Sequence, residues 1–240
     1  MSSHRREFLQ RLAVGAVSAA ALPSLLQAES ASQLSAEWTN HDRVDEFADT
    51  PTFADPEFDT SWTAKITGKH KALFDVPEVT GGSGVLRAGL WAKQYTDVLK
   101  ATPADLSTVI VLRHEGIILA MNQAFWDEYR IGKRNKVKDG NDKRTDKNPA
   151  LALPLVEGEK AKPFDAFMLE QQMARGVVVL ACNMAFGGCV RMVMKEDKLP
   201  QPEARAKALS MLIPGIIMQP SGIFADVLAQ QSGCAFVAAS

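Results

Sequence analysis

Cysteine is scarce in this chain. Three residues in 240 are too few for a disulfide scaffold, and an odd number leaves at least one thiol without an intramolecular partner. There are four histidines, one of them the N-terminal His4, and the sequence holds no Cys-x-x-Cys or His-x-x-x-His pairing, so no metal centre is expected. Charge of one sign is lacking too: 27 Lys and Arg face 28 Asp and Glu, a net of −1, which gives no case for nucleic acid or for an acidic partner. No nucleic-acid-binding motif is present. Gly81-Gly82-Ser83-Gly84 has neither the Gly-x-Gly-x-x-Gly order nor a Lys-Ser/Thr ending, and reads as a plain turn rather than a phosphate cradle. Ser221 lacks a Gly-x-Ser-x-Gly elbow, which argues against a hydrolase triad. No cofactor is called for.

What the chain does have is apolar mass. With 46% hydrophobic residues it can bury one sizeable core, so one domain with appendages is expected. At the N-terminus Arg5-Arg6 stands ahead of a modest apolar run, Leu12 to Leu26, followed by small residues at Ala28, Ser30 and Ala31. The run is too short for an ordinary membrane span. Residues 1–30 resemble a twin-arginine export signal, with a mature start near Glu29 to Ser32 and a periplasmic location. The alternatives are an amphipathic N-terminal helix of a cytoplasmic protein and an uncleaved anchor. Residues 31–68 lack periodicity but hold Trp38, Phe47, Phe53, Phe58 and Trp62, and read as an extended arm anchored by those aromatics.

From 69 to 240 strands alternate with helices. Strands are expected at Lys69–Val76, Ser107–Leu112, Gly176–Asn183, Pro214–Gln219 and Cys234–Ala238. Helices are expected from Leu86 to Leu99, Ile117 to Tyr129, Phe164 to Arg175 and Glu203 to Leu212, and after Pro220-Ser221-Gly222. Lys133 to Lys147 reads as a basic loop, either a solvated excursion or a docking surface for an acidic partner. The pattern predicts a three-layer α/β domain with a mostly parallel sheet of about five strands, of flavodoxin-like kind.

In such a sheet ligands bind beyond the carboxyl ends of the strands, where Arg113-His114, Cys182-Asn183 and Gln219-Pro220-Ser221 converge. A thiol at a strand end and a helix start meets unpaired N–H groups that favour thiolate. Cys182 is therefore a candidate nucleophile, sulfur carrier or metal ligand, against the plain reading of a small buried hydrophobe. His114 is a candidate acid or base, or simply a hydrogen-bonded strand-end histidine. Ser221 suits anion contact or helix capping. A Cys182–Cys189 disulfide needs the intervening loop to bring the Cα atoms within about 7 Å. Cys234, at the opposite end of the sheet, reads as packed core.

Several segments resemble one family: Val111-Leu112-Arg113-His114, Ala120 to Tyr129, Gly176 to Asn183, Pro214 to Gly222 and Ala229 to Ala235. Over about residues 69–239 they resemble exported members of the DsrE-like (DsrE/DsrF, sulfur-relay) superfamily. The resemblance implies a compact, often oligomeric α/β domain. It also implies that Cys182 stands where relay members carry sulfur as a persulfide. On that expectation Cys182 and His114 are catalytic, while Arg113, Asn183, Ser221 and Gly222 contact a small sulfur-containing or anionic ligand. Membrane contact would come only through the export signal. The rival is a non-catalytic accessory subunit that uses the same strand-end pocket for a cofactor or anion. A third reading is a structural oligomer without a small-molecule site.

Overall fold

The structure, a computed structural model, describes residues 58–140, 142–152 and 163–239. The expected export signal, and Trp38, Phe47 and Phe53 of the expected arm, lie outside the described residues. Five strands form one all-parallel sheet: β1 (His70–Val76), β2 (Leu106–Leu112), β3 (Val178–Cys182), β4 (Ile217–Gln219) and β5 (Ala235–Ala238). Their spatial order is β4-β3-β2-β1-β5. Seven α-helices accompany them among the described residues: α1 (Ser83–Leu99), α2 (Gln123–Glu128), α3 (Ile131–Arg134), α4 (Leu169–Ala174), α5 (Asn183–Asp197), α6 (Gln201–Ser210) and α7 (Gly222–Gln231). The expected three-layer α/β fold is what the chain adopts.

Strand alternation sorts the core into two faces. Ala72, Phe74, Ile110, Leu112, Val179 and Ala181 point to the first face, where they meet Val85 and Ala88 of α1, Phe125 and Trp126 of α2, and Phe186, Val190 and Val193 of α5. Leu73, Val109, Val111, Val178 and Leu180 point to the second, where Ala225 and Ala229 of α7 cover them together with Trp62. Trp62 is fully buried on a short 3-10 turn, Ser61–Lys65, and Phe58 is half-buried, so these two expected anchors do hold their segment to the domain. On α7 the outward Ile223, Phe224 and Val227 remain exposed.

Four expected elements come out differently. Ile117 to Tyr129 is not one helix. A 3-10 segment, His114–Ala120, ends where Met121 makes an antiparallel bridge to Leu212, and Asn122 then caps α2 by accepting the Phe125 N–H at 3.0 Å. Phe164 to Arg175 likewise splits into a 3-10 turn, Asp165–Phe167, and the short α4. The basic loop begins inside α3, whose last two residues are Lys133 and Arg134, and carries a Lys138–Arg144 bridge. The helix start expected at Cys182 is there, but the stretch from it to Cys189, expected as a loop, lies within the fifteen-residue helix α5.

That helix decides the disulfide question. Seven helical steps carry the chain from Cys182 to Cys189, a rise of about 10 Å, beyond disulfide reach. All three cysteines are free thiols. Cys234 is buried on the second face near the start of β5, as expected.

Candidate functional site

The connections after β1, β2 and β3 lead into the first-face layer, whereas β4 leads into α7 on the second face. The change of side falls between β3 and β4. Such a switch opens a crevice at the carboxyl ends of the two strands, which here end in Cys182 and Gln219, paired in register.

The same register builds a polar row. β2 and β3 pair through Leu112 and Ala181, so the next residues, Arg113 and Cys182, lie side by side, with Gln219 beyond. Alternation turns all three side chains toward the second face. Cys182 caps α5: its Sγ accepts the Ala185 N–H at 3.4 Å, and the residue keeps 6% of its surface exposed. Gln219 is fully buried. Its Nε2 donates to the Asp59 and Met218 carbonyls, and its Oε1 has no hydrogen-bond partner among the described residues.

Arg113 is the pivot. Its Nε and Nη2 donate to the two carboxylate oxygens of Asp75 on β1, each at 2.6 Å. A second carboxylate, Asp226 of α7, lies 3.6 Å from Nε through Oδ2. The Asp75 hydrogen bonds, with the charges of Asp75, Asp226 and a Cys182 thiolate, hold the guanidinium pKa above its ordinary value despite some desolvation. Asp226 behaves in the opposite way to Asp75's partner role: burial, then repulsion by Asp75, push its carboxyl up to about 7, and Arg113 only partly offsets them. Asp226 Oδ1 is buried and has no hydrogen-bond partner among the described residues.

Gly222 makes room for this arrangement. A Cβ there would lie 2.5 Å from Arg113 Cδ and 2.7 Å from its Cβ, so the arginine stem can cross the start of α7 only because the side chain is missing. Ser221 caps α7, its Oγ accepting the Phe224 N–H at 3.1 Å.

No protein-family model, curated protein or solved structure matches this chain.

Of the six residues expected at the site, Arg113, Cys182 and Gly222 come together around the Arg113 side chain. Ser221 adjoins them as a helix cap. Asn183 turns to α6, where its Oδ1 accepts from Arg205 Nη1 at 3.0 Å. His114 is parted from Cys182. Arg113 is extended, at φ −139°, but His114 takes a left-handed φ of 47°, and the chain leaves β2 toward the first face. There His114 lines a separate cavity of about 850 Å³ with Thr80, Lys136, Lys138, Cys189 and Met192, and Cys182 is not among its lining residues. Asp75, Asp226 and the inward role of Gln219 are the additions. Two of them carried a signal: Asp75 interrupts the apolar Leu73-Phe74-Asp75-Val76, and Asp226 interrupts the apolar start of α7.

Chemically, the second-face row offers a thiol with a backbone N–H and a cation beside it, and a carboxyl that changes charge near neutrality. The described residues contain no cluster of His, Cys, Asp and Glu fit to hold a metal ion.

Proposed function

We propose that this chain is an exported, DsrE-like protein that binds and relays a small sulfur species through Cys182. The observation that carries the reading is the placement of Cys182 Sγ. It sits at the N-terminus of the fifteen-residue α5, accepts a backbone N–H, and neighbours Arg113 at the switch point of a parallel sheet. A persulfide is held as an anion, and an anion needs such donors. Arg113 supplies the neighbouring positive charge, and Gly222 lets it take its place. His114 has no part in this chemistry. The partner is a small sulfur-containing or anionic molecule, and a second copy of the chain suits the exposed Ile223, Phe224 and Val227 of α7. Export by the twin-arginine route places the protein in the periplasm, where the donor must itself be a small molecule or an exported carrier.

Thiosulfate is the simplest probe. Incubation followed by peptide mass spectrometry is expected to show one added sulfur atom on Cys182 and none in a Cys182→Ser variant. Equal labelling of wild type and variant would end this assignment.

The first-face cavity supports a second reading, a non-catalytic accessory protein that holds a cofactor or anion there. At about 850 Å³ it is of ordinary ligand size, and Lys136 and Lys138 lie on its wall beside the start of α1, along with Glu78, Glu115, Asp139 and Asp142, the last paired with Lys138 at 2.8 Å. A ligand that co-purifies with the protein and is lost from a Lys136→Glu, Lys138→Glu variant, with no sulfur ever found on Cys182, would favour it.

A further inference from the structure

We propose that Asp226 is the acid of the Cys182 site, giving its proton to the oxyanion that departs when a sulfane-sulfur donor of the thiosulfate class loads the cysteine. This rests on the reading of Cys182 as the sulfur-carrying residue.

The placement comes first. Gly222 and Asp226 are four residues apart on α7 and so share one helix face. Gly222 rests on the Arg113 stem, which brings Asp226 above the guanidinium. The charge balance comes second. Asp75 already occupies both Nε and Nη2 of Arg113, leaving Asp226 with only a 3.6 Å approach. One cation between two carboxylates cannot neutralise both, and a proton on Asp226 resolves the excess. The third observation is the orphaned Oδ1: the residue is 8% exposed, yet this oxygen meets no hydrogen-bond partner among the described residues. A buried polar atom left unpaired costs stability and calls for an explanation. A bound oxyanion accepting its proton supplies one.

The groups facing Asp226 are few. β1 presents Asp75 and the exit of β2 presents Arg113, and Cys182, at the exit of β3, lies on the far side of that arginine's strand pairing. β4 presents the uncharged Gln219. Cys234, ahead of β5, lies at the other end of the sheet beside Lys71. Burial and the Asp75 charge put the Asp226 titration at about 7, where a carboxyl can hold a proton and also release it.

The step balances. The Cys182 thiolate attacks the outer sulfur of thiosulfate, a sulfur–sulfur bond forms, and the sulfur–sulfur bond of the donor breaks. Sulfite leaves with that electron pair and takes the Asp226 proton on oxygen as hydrogensulfite. A Cys182 persulfide anion and an Asp226 carboxylate remain. No outside oxidant or reductant is consumed, because the transferred sulfur arrives already at the sulfane level.

The test is the rate of one-sulfur mass gain at Cys182 with thiosulfate, from about pH 5.5 to about pH 9, for the full chain and for Asp226→Asn. The ratio of the wild-type rate to the Asp226→Asn rate, from which the thiol's own titration cancels, should fall as pH rises through about 7. Asp226→Asn should run roughly 100-fold slower than wild type near pH 6, the gap closing at the alkaline end. A variant that keeps the wild-type profile within about threefold overturns the role of Asp226 while leaving Cys182 in place; absence of sulfur on wild-type Cys182 overturns both. Should Asp226→Asn fail to fold by circular dichroism, the wild-type profile decides alone, and a rate that climbs steadily through pH 7 refutes the assignment.

Discussion

On the first face of the sheet, Phe74, Ile110, Leu112 and Val179 meet a layer built from α1, α2, α5 and α6. On the second, the same strands present Leu73, Val109, Val111 and Leu180, and then Asp75, Arg113, Cys182 and Gln219 two residues further along. The first face ends apolar, with Val76, Leu112 and Ala181 sealed under helices. The second has one α-helix over it among the described residues, α7, and ends in charge. Period-two alternation lets one sheet carry both, since a strand can change chemistry on one side without touching the other. The difference teaches where the molecule accepts instability. Apolar contacts on the first face need no partner of particular geometry. The second-face row needs Asp75 and Arg113 to satisfy each other, and it still leaves Gln219 Oε1 and Asp226 Oδ1 unpaired among the described residues.

The strongest way to break this contrast is Asp75→Asn. Arg113 would lose its two-bond carboxylate partner and keep only the 3.6 Å approach of Asp226, while its side chain is only 22% exposed, and breaking an ion pair in such a place costs about 3 kcal/mol. Urea unfolding at neutral pH should show that loss. A change below about 1 kcal/mol would mean that solvent screens the pair and that the second face is no more fragile than the first.

Next in size is the pH dependence set by Asp226. Its carboxyl sits near 3.8 in an unperturbed setting and at about 7 in the fold. Between those values the folded chain holds a proton that the unfolded chain has released, so rising pH favours unfolding. The contribution is fully present below about pH 4, is lost as pH climbs to about 7, and is flat beyond. The swing should amount to about 2–4 kcal/mol. Asp59, Asp105, Glu196 and Asp197, whose pKa values lie below the ordinary range, slope the other way, but identically in wild type and variant. Asp226→Asn should therefore gain on wild type at pH 8 and not at pH 4 in parallel urea titrations. An equal difference at both pH values would show that Asp226 is an ordinary carboxylate.

Much of this contrast could be read from the residues. The β-branched runs Val109-Ile110-Val111 and Val177-Val178-Val179 declare β2 and β3, and alternation with helices declares a parallel sheet whose strand ends gather Arg113, Cys182 and Gly222. The start of helix α5 at Cys182 is legible, and so is its continuation past Cys189, which the expected loop there overlooks. Phe186, Cys189, Val190 and Val193 fall at helical spacing, but Gly187-Gly188 between them looks like a turn. The break inside residues 117–129 was not legible, because the bridge from Met121 to Leu212 spans ninety-one positions of chain and leaves no local trace. Nor was the parting of His114 from Cys182. It depends on a left-handed backbone at a residue that is neither glycine nor asparagine, and on the N–H of Gly116 reaching the Pro77 carbonyl at 2.9 Å. Asp75 and Asp226 stood in plain view as charges inside apolar runs, and only the fold shows that they share one arginine.

The smallest expected effect separates two thiols on one helix. Cys182 and Cys189 sit at opposite ends of two turns of α5, on opposite faces of the molecule's chemistry. Cys189 is 2% exposed, and burial pushes its thiol up to about 12, with Arg191 pulling only weakly the other way. It nevertheless lines the first-face cavity, so a small reagent has a route toward it, and what it lacks is ionisation. Since the thiolate is the reactive form, native protein at pH 8 should leave Cys189 unalkylated by iodoacetamide over a period in which Cys182 takes the label. Raising the pH by one unit should speed labelling of Cys189 about tenfold, as expected of a thiol titrating far above the solution pH. If Cys189 instead reacts as fast as Cys182 at pH 8, burial does not hold its thiol protonated, and the division of one sheet into a packed side and a chemical side fails at the cavity.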